Sequence, residues 1–131
     1  MKRLFYPALF QAEEDGYSIS VPDLDGCFTE GDTLETAYEN TIDAIGLCLE
    51  ELQANNQEFP PASAPNQIAP GPNEYVVLIE FDPLEYKKRN DNKSVKKTLT
   101  IPSWLNKMAE EQHVNFSGVL QSALKKHLDI D

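Results

Sequence analysis

The chain reads as an α+β protein: a β-β-β-α-β module over residues 1–86, a basic linker over 87–94 and a β-α-α tail over 95–131. Three observations carry that reading. Apolar residues fall into short strand-like stretches before residue 31 and recur at helical spacing from Leu34 onward. Clusters of Pro, Gly and Asn separate the stretches. Charge divides the chain as well: residues 1–86 hold 17 Asp and Glu against only Lys2 and Arg3, whereas residues 87–131 hold nine Lys and Arg against five acids.

Leu4 to Ala12 is apolar and aromatic, Glu13 to Gly16 supplies a turn, and Tyr17 to Val21 alternates, so the first two strands form a hairpin. Pro7 has no amide hydrogen to give to a ladder, which places the first strand at a sheet edge or at a bulge. Pro22 to Gly26 turns the chain again, and Cys27 to Glu30 has room only for a third strand. Asp32 with Glu35 three residues on matches a capping box, with Asp32 as N-cap. Leu34, Ala37, Tyr38, Thr41, Ile45, Cys48, Leu49 and Leu52 then recur at steps of three and four, predicting one amphipathic helix over 33–54 that packs on the sheet. Prolines and glycines from Phe59 to Pro72 mark a loop. Tyr75 to Phe81 is almost continuously apolar, as a central strand is, and a crossover through the helix would set it parallel to an earlier strand.

Residues 87–94 contain no apolar side chain and form the expected domain boundary. Beyond it Val95 to Ile101 has a strand pattern, and Pro102 suits the first turn of a helix marked by Trp104, Leu105, Met108 and Ala109. Asn115 is a good N-cap for a second helix, whose stripe is Val119, Leu120, Ala123, Leu124 and Leu128. A strand of this length has no partner inside so short a tail, and each buried unpaired amide costs about 1–3 kcal/mol. A second copy supplies the missing strand, giving an antiparallel ribbon over four helices. Parity then turns Leu99 and Ile101 toward the helices and Lys96, Thr98 and Thr100 outward, onto a ribbon that fits the major groove of B-DNA. Asn115, Phe116 and Ser117 add free backbone amides at a helix start, where a DNA phosphate can sit.

Lys96-x-Thr98-x-Thr100-x-Pro102, followed by Asn115-Phe116-Ser117, resembles the ribbon-helix-helix repressors over about residues 94–128. The resemblance makes Lys96, Thr98 and Thr100 the base-reading residues. Lys97 departs from it, standing at an inward-parity position that is usually apolar in those repressors. Upstream, Tyr6-Pro7-Ala8, Asp15-Gly16-Tyr17, the run from Val21 through Ala37, and Asn40 through Leu49 are similar to the HicB antitoxin family, and so is the order of the two modules. That resemblance implies a partial RNase H-like domain that binds and inhibits a HicA-type toxin, a small basic RNA-cleaving protein with an active-site histidine. It also implies a tail that binds operator double-stranded DNA as a repressor. The strongly acidic module is compatible with a cationic partner. Asp23, Asp25, Glu30 and Asp32, clustered on turns beside the sheet, are the candidate toxin contacts.

The same four carboxylates suggest the alternative from another class, a metal-dependent nuclease of RNase H-like fold. They sit on a turn rich in Gly and Pro rather than converging from strands and a helix, and the strand from Tyr75 to Phe81 offers only Glu80. His113 and His127 lie outside the acidic module, and neither Cys27 nor Cys48 has a neighbouring His or Lys. The expectation is a non-enzymatic protein with no metal and no cofactor. A stand-alone ribbon-helix-helix transcription factor is the other alternative. With 40% apolar and 25% charged residues, and no run near the ~20 apolar residues a membrane helix needs, the expectation is a soluble protein without a membrane partner. Cys27 and Cys48 have no Cys-x-x-Cys spacing and read as thiols of a reducing compartment, and the residues from Met1 to Pro7 are too short and broken for a signal peptide, so a cytoplasmic location is expected. The tail sets a homodimer, and further pairing through the amino-terminal sheets would give a tetramer.

Overall fold

A computed structural model describes residues 2–130. The chain divides into two compact units, the first ending at Lys93 and the second starting at Ser94. In the first unit β1 (Leu4–Glu13), β2 (Gly16–Ser20), β3 (Phe28–Gly31) and β4 (Glu74–Phe81) form one antiparallel sheet of order β3-β2-β1-β4. Helix α1 (Leu34–Ala54) packs on one face, and a shorter helix α2 (Pro83–Asn90) packs against α1.

Alternation decides which side chains meet α1. Tyr6, Ala8 and Phe10 of β1, Ile19 of β2, and Ile79 and Phe81 of β4 point to the same side and are buried with Ala37, Ile45 and Leu49 of α1. Thr41 is the buried polar side chain of this core, and it is satisfied locally, its Oγ1 donating to the Ala37 carbonyl at 2.7 Å. Two side chains of α1 reach over opposite edges of the sheet. The Glu80 amide of β4 donates to the Tyr38 hydroxyl at 3.4 Å, and Asn40 Nδ2 donates to the Glu30 carbonyl of β3 at 2.8 Å. Both edge strands therefore have a backbone group covered by the helix.

Four expectations change. Strand β4 is an edge strand antiparallel to β1, not a central parallel one. Its apolar run has a different cause: one face meets α1, while Val76 and Leu78 lie on the other face, Leu78 exposed. Strand β1 is central despite Pro7, because β2 pairs with it only from Leu9 onward, and Pro7 lies where β4 is its single neighbour. The N-cap of α1 is Thr33 rather than Asp32: Thr33 Oγ1 accepts the Thr36 amide at 3.1 Å, and a helix beginning one residue later moves Glu35 off the capping-box position. Lys87 to Asn90, assigned to the linker, are the last turn of α2. Asp82 caps that helix by accepting the amides of Leu84 and Glu85, Pro83 occupies its first turn, and Tyr86 is buried against Gly46 of α1, where any Cβ would collide with the ring.

The second unit holds α3 (Ser103–Glu111) and α4 (Phe116–His127). Pro102 stands at the N-cap of α3 rather than inside its first turn. Asn115 caps α4, its side-chain oxygen accepting the Gly118 amide at 3.1 Å. Helix α3 ends in a Schellman motif: His113 adopts φ 54° while its amide and that of Val114 donate back to Glu110 and Ala109. His113 is thus a backbone reversal between two helices. Residues 91–102 carry no regular secondary structure in the single chain and are exposed throughout, so the segment from Val95 to Ile101 has no strand partner among the described residues.

Candidate functional site

The four acidic candidates do not act as one group. Asp23 is engaged within its own unit: one carboxylate oxygen accepts the Ser63 amide at 2.8 Å and the other accepts the Ser63 hydroxyl at 2.7 Å. This pair ties the β2–β3 turn to the long loop after α1. A second tie lies beside it, where the Tyr6 hydroxyl donates to the Pro60 carbonyl at 2.8 Å. Burial, with Asp23 nearby, pushes the Tyr6 hydroxyl above its ordinary pKa, so it remains a donor. Asp25 is exposed at the rim of a cleft of about 240 Å³ that it shares with Asp23, Glu51, Leu52 and Pro60. Glu30 projects from the face of β3 opposite α1, and Asp32 is exposed beyond the end of that strand.

Among the described residues no group of three or more His, Cys, Asp or Glu side chains is arranged to hold a metal ion. The two thiols are no better placed for nucleophilic chemistry. Burial, and then the neighbouring Cys48, pushes the Cys27 thiol up to about 12, which leaves it protonated at physiological pH. Among the described residues no helix is long and apolar enough to cross a membrane.

In the second unit Lys96, Thr98 and Thr100 are exposed on the unpaired stretch that precedes α3. At the start of α4 the Gly118 amide is taken by the Asn115 side chain and the Val119 amide by the Asn115 carbonyl. Phe116 and Ser117 are exposed in the first turn of that helix. The unit buries none of its large apolar side chains: Trp104 and Leu128 are each 64% exposed, and Leu99, Met108, Val119 and Leu124 are all at least half exposed. Charge follows the two units differently from the sequence division. Lys87, Lys88, Arg89 and Lys93 belong to the first unit, giving net −12 for residues 1–93 and +1 for residues 94–131. Basic character in the tail is therefore local, at Lys96 and Lys97 and again at Lys125 and Lys126.

Sequence reading missed one feature near the acidic turn. Phe28, on the short edge strand β3, is 73% exposed, an unusual setting for a phenyl ring. The signal was present in parity, since Phe28 and Glu30 must share a face and Cys27 is buried.

Residues 6–124 match the family model described as the HicB-like antitoxin of bacterial toxin-antitoxin systems. A 14.9 kDa protein encoded between the rep and hol genes of Haemophilus phage HP1 is 31% identical over 104 residues, covering 78% of this chain and 76% of that one. Antitoxin HicB 1 of Photorhabdus laumondii is 36% identical over 61 residues, 46% of this chain and 39% of its own. The fold matches a solved toxin-antitoxin complex from Streptococcus pneumoniae with a TM-score of 0.60 at 24% identity, covering 96% of this chain and 99% of that one. It also matches a HicA3 and HicB3 toxin-antitoxin complex with a TM-score of 0.54 at 26% identity, over 61% of this chain and all of that one.

Proposed function

This chain belongs to the HicB-like antitoxin family of bacterial toxin-antitoxin systems, a family of regulators rather than enzymes, and on that footing we propose that it neutralises a HicA-type toxin and represses its own operon. Residues 1–93 bind the small basic RNA-cleaving toxin. Residues 94–131 pair with a second copy as a ribbon-helix-helix dimer on operator DNA.

The observation behind this reading is the contrast in core. The first unit has a closed apolar interior and a large negative charge, whereas the second exposes its apolar helix faces and an unpaired, strand-competent segment. A fold that buries nothing alone is completed by a symmetric partner, because pairing two copies of Val95 to Ile101 covers both the backbone groups and Leu99 and Ile101. The paired form would present Lys96, Thr98 and Thr100 to base edges and the amides of Phe116 and Ser117 to phosphates. On the acidic side Asp25, Glu30 and Asp32 are the exposed carboxylates that a cationic toxin surface would meet, while Asp23 holds the turn that carries Asp25.

Two measurements on the purified full-length chain test this. Binding to an inverted repeat upstream of its own gene should weaken steeply as salt rises. Thr98→Ala or Thr100→Ala should reduce operator preference by about 1–3 kcal/mol while inhibition of the co-encoded ribonuclease stays at the wild-type level. Operator binding without any effect on that ribonuclease would reduce the protein to a stand-alone repressor. Unchanged operator preference in both threonine variants would remove the ribbon from the reading.

A further inference from the structure

Of the face of the sheet opposite α1, only Glu30 has been given a role above. The composition of that face follows from register. Leu9 pairs with Ser20 on one side and Val76 on the other, and Ser20 pairs with Phe28, so Phe28, Ser20, Leu9 and Val76 form one row across all four strands. The next row sets Pro7 beside Leu78, and the one after it sets Phe5 beside Glu80. On the other side of the first row come Glu30, Ser18, Gln11 and Glu74, again one from each strand. An antiparallel sheet with one face packed ordinarily turns polar side chains outward on the other. Here the outward face carries apolar side chains, Phe28 on β3 73%, Leu78 on β4 45% and Phe5 near the start of β1 44% exposed, with Leu9 and Val76 half-buried and Pro7 buried between them.

Acid surrounds these side chains unevenly. Glu30 and Glu74 close one end of the face. Glu13, which accepts a hydrogen bond from the Ser18 hydroxyl, extends the same rim. At the other end Glu80 is already paired with Arg3 at 2.7 Å. Exposed apolar side chains, interrupted here only by Ser20 and flanked by a charged rim, are the anatomy of a protein-binding surface. Charge selects its occupant, because the unit carries net −12: a second copy would bring like charge against like, whereas a cationic protein would be drawn in.

We propose that this outer face is the seat of the basic toxin, with Phe28, Leu9 and Leu78 as the apolar anchors and the rim of Glu13, Glu30 and Glu74 meeting its cations. The assignment rests on the toxin-neutralising reading above and adds to it the surface and the anchor residues. It also moves the centre of contact from the β2–β3 turn to the sheet itself, with Glu30 common to both.

Titration calorimetry of the full-length chain with its co-encoded toxin tests the assignment. Phe28→Ser combined with Leu78→Ser should weaken binding at least tenfold, and Glu30→Lys several-fold, while Glu39→Lys, an equal charge change on exposed α1, should leave affinity within twofold of wild type. Phe28→Ser alone serves if the double variant loses its circular dichroism or its melting transition. Wild-type affinity in the face variants, alongside a wild-type chain that binds the toxin, overturns the surface but leaves neutralisation standing. Face variants that lower the oligomeric mass without altering toxin affinity overturn it in favour of a second copy. A wild-type chain that binds no toxin removes the neutralising reading itself, and this surface with it.

Discussion

Residues 2–93 enclose thirteen buried apolar side chains in one cluster, whereas no large apolar side chain of residues 94–130 is buried. Both regions are amphipathic in sequence. The difference lies in how many layers each can stack from its own chain. Four strands and α1 make two layers with a closed interface, so every inward-facing residue finds partners within the unit. Two helices and an extended segment make one layer, and its apolar stripe has nothing beneath it. In a ribbon-helix-helix dimer the second copy is part of the fold. On the proposed reading one chain thus encodes a unit whose core is complete and a tail whose core a second copy completes.

The largest effects should follow from that contrast. Leu124→Asp places a charge on the apolar stripe of α4 and should abolish dimerisation and operator binding together, while the first unit keeps its melting transition. Analytical ultracentrifugation and calorimetry would read the two outcomes separately. Ile45→Ala, in the centre of the α1 interface, should lower the stability of the first unit by about 3 kcal/mol, independently of protein concentration. Transitions of the tail should instead shift upward with concentration. A tail transition that ignores concentration would break the comparison.

A smaller effect is expected where the acidic turn is tied down. Asp23→Ala removes two hydrogen bonds to a carboxylate and leaves the Ser63 amide without its acceptor, at a cost of about 2 kcal/mol to the first unit. Ser63→Ala removes only the hydroxyl and should cost less. A double-mutant cycle in denaturant should show clear non-additivity, since both changes act on one contact. Additive losses would mean that Asp23 and Ser63 contribute to stability separately.

The parts of this organisation legible in sequence are those with local causes. The β1–β2 hairpin follows from the turn at Glu13 to Gly16, α1 from its spacing of three and four, and the α4 cap from Asn115. Strand order is not local. The run from Tyr75 to Phe81 has the composition of a central strand, and only its pairing partners reveal an edge position with an apolar outer face. Helix α2 was hidden for another reason: its single buried side chain, Tyr86, leaves no stripe to detect, although Asp82-Pro83 at its start and the basic residues of its last turn were readable as helix signals. The carboxylate of Asp23 looked like part of a binding surface because its partner, Ser63, lies forty residues away in a loop without periodicity.

The last expected effect is confined to the first unit and appears only in alkali. Cys27 is 2% exposed in the core, and burial, with Cys48 beside it, raises its pKa from 9.0 to about 12. Its neutral form is therefore favoured in the folded state more than in the unfolded one. The resulting stabilisation is complete below about pH 9 and is lost as pH rises from there toward 12. The raised pKa values of Tyr6, Tyr75 and Tyr86 act with the same sign from about pH 10 upward. Denaturant midpoints of the first unit should fall between pH 9 and 11, and more shallowly in Cys27→Ala than in the wild type. At pH 8.5 a thiol-alkylating reagent should modify half-buried Cys48 well before Cys27. Equal rates at the two thiols would show that the β2–β3 turn, which carries Asp25, opens readily.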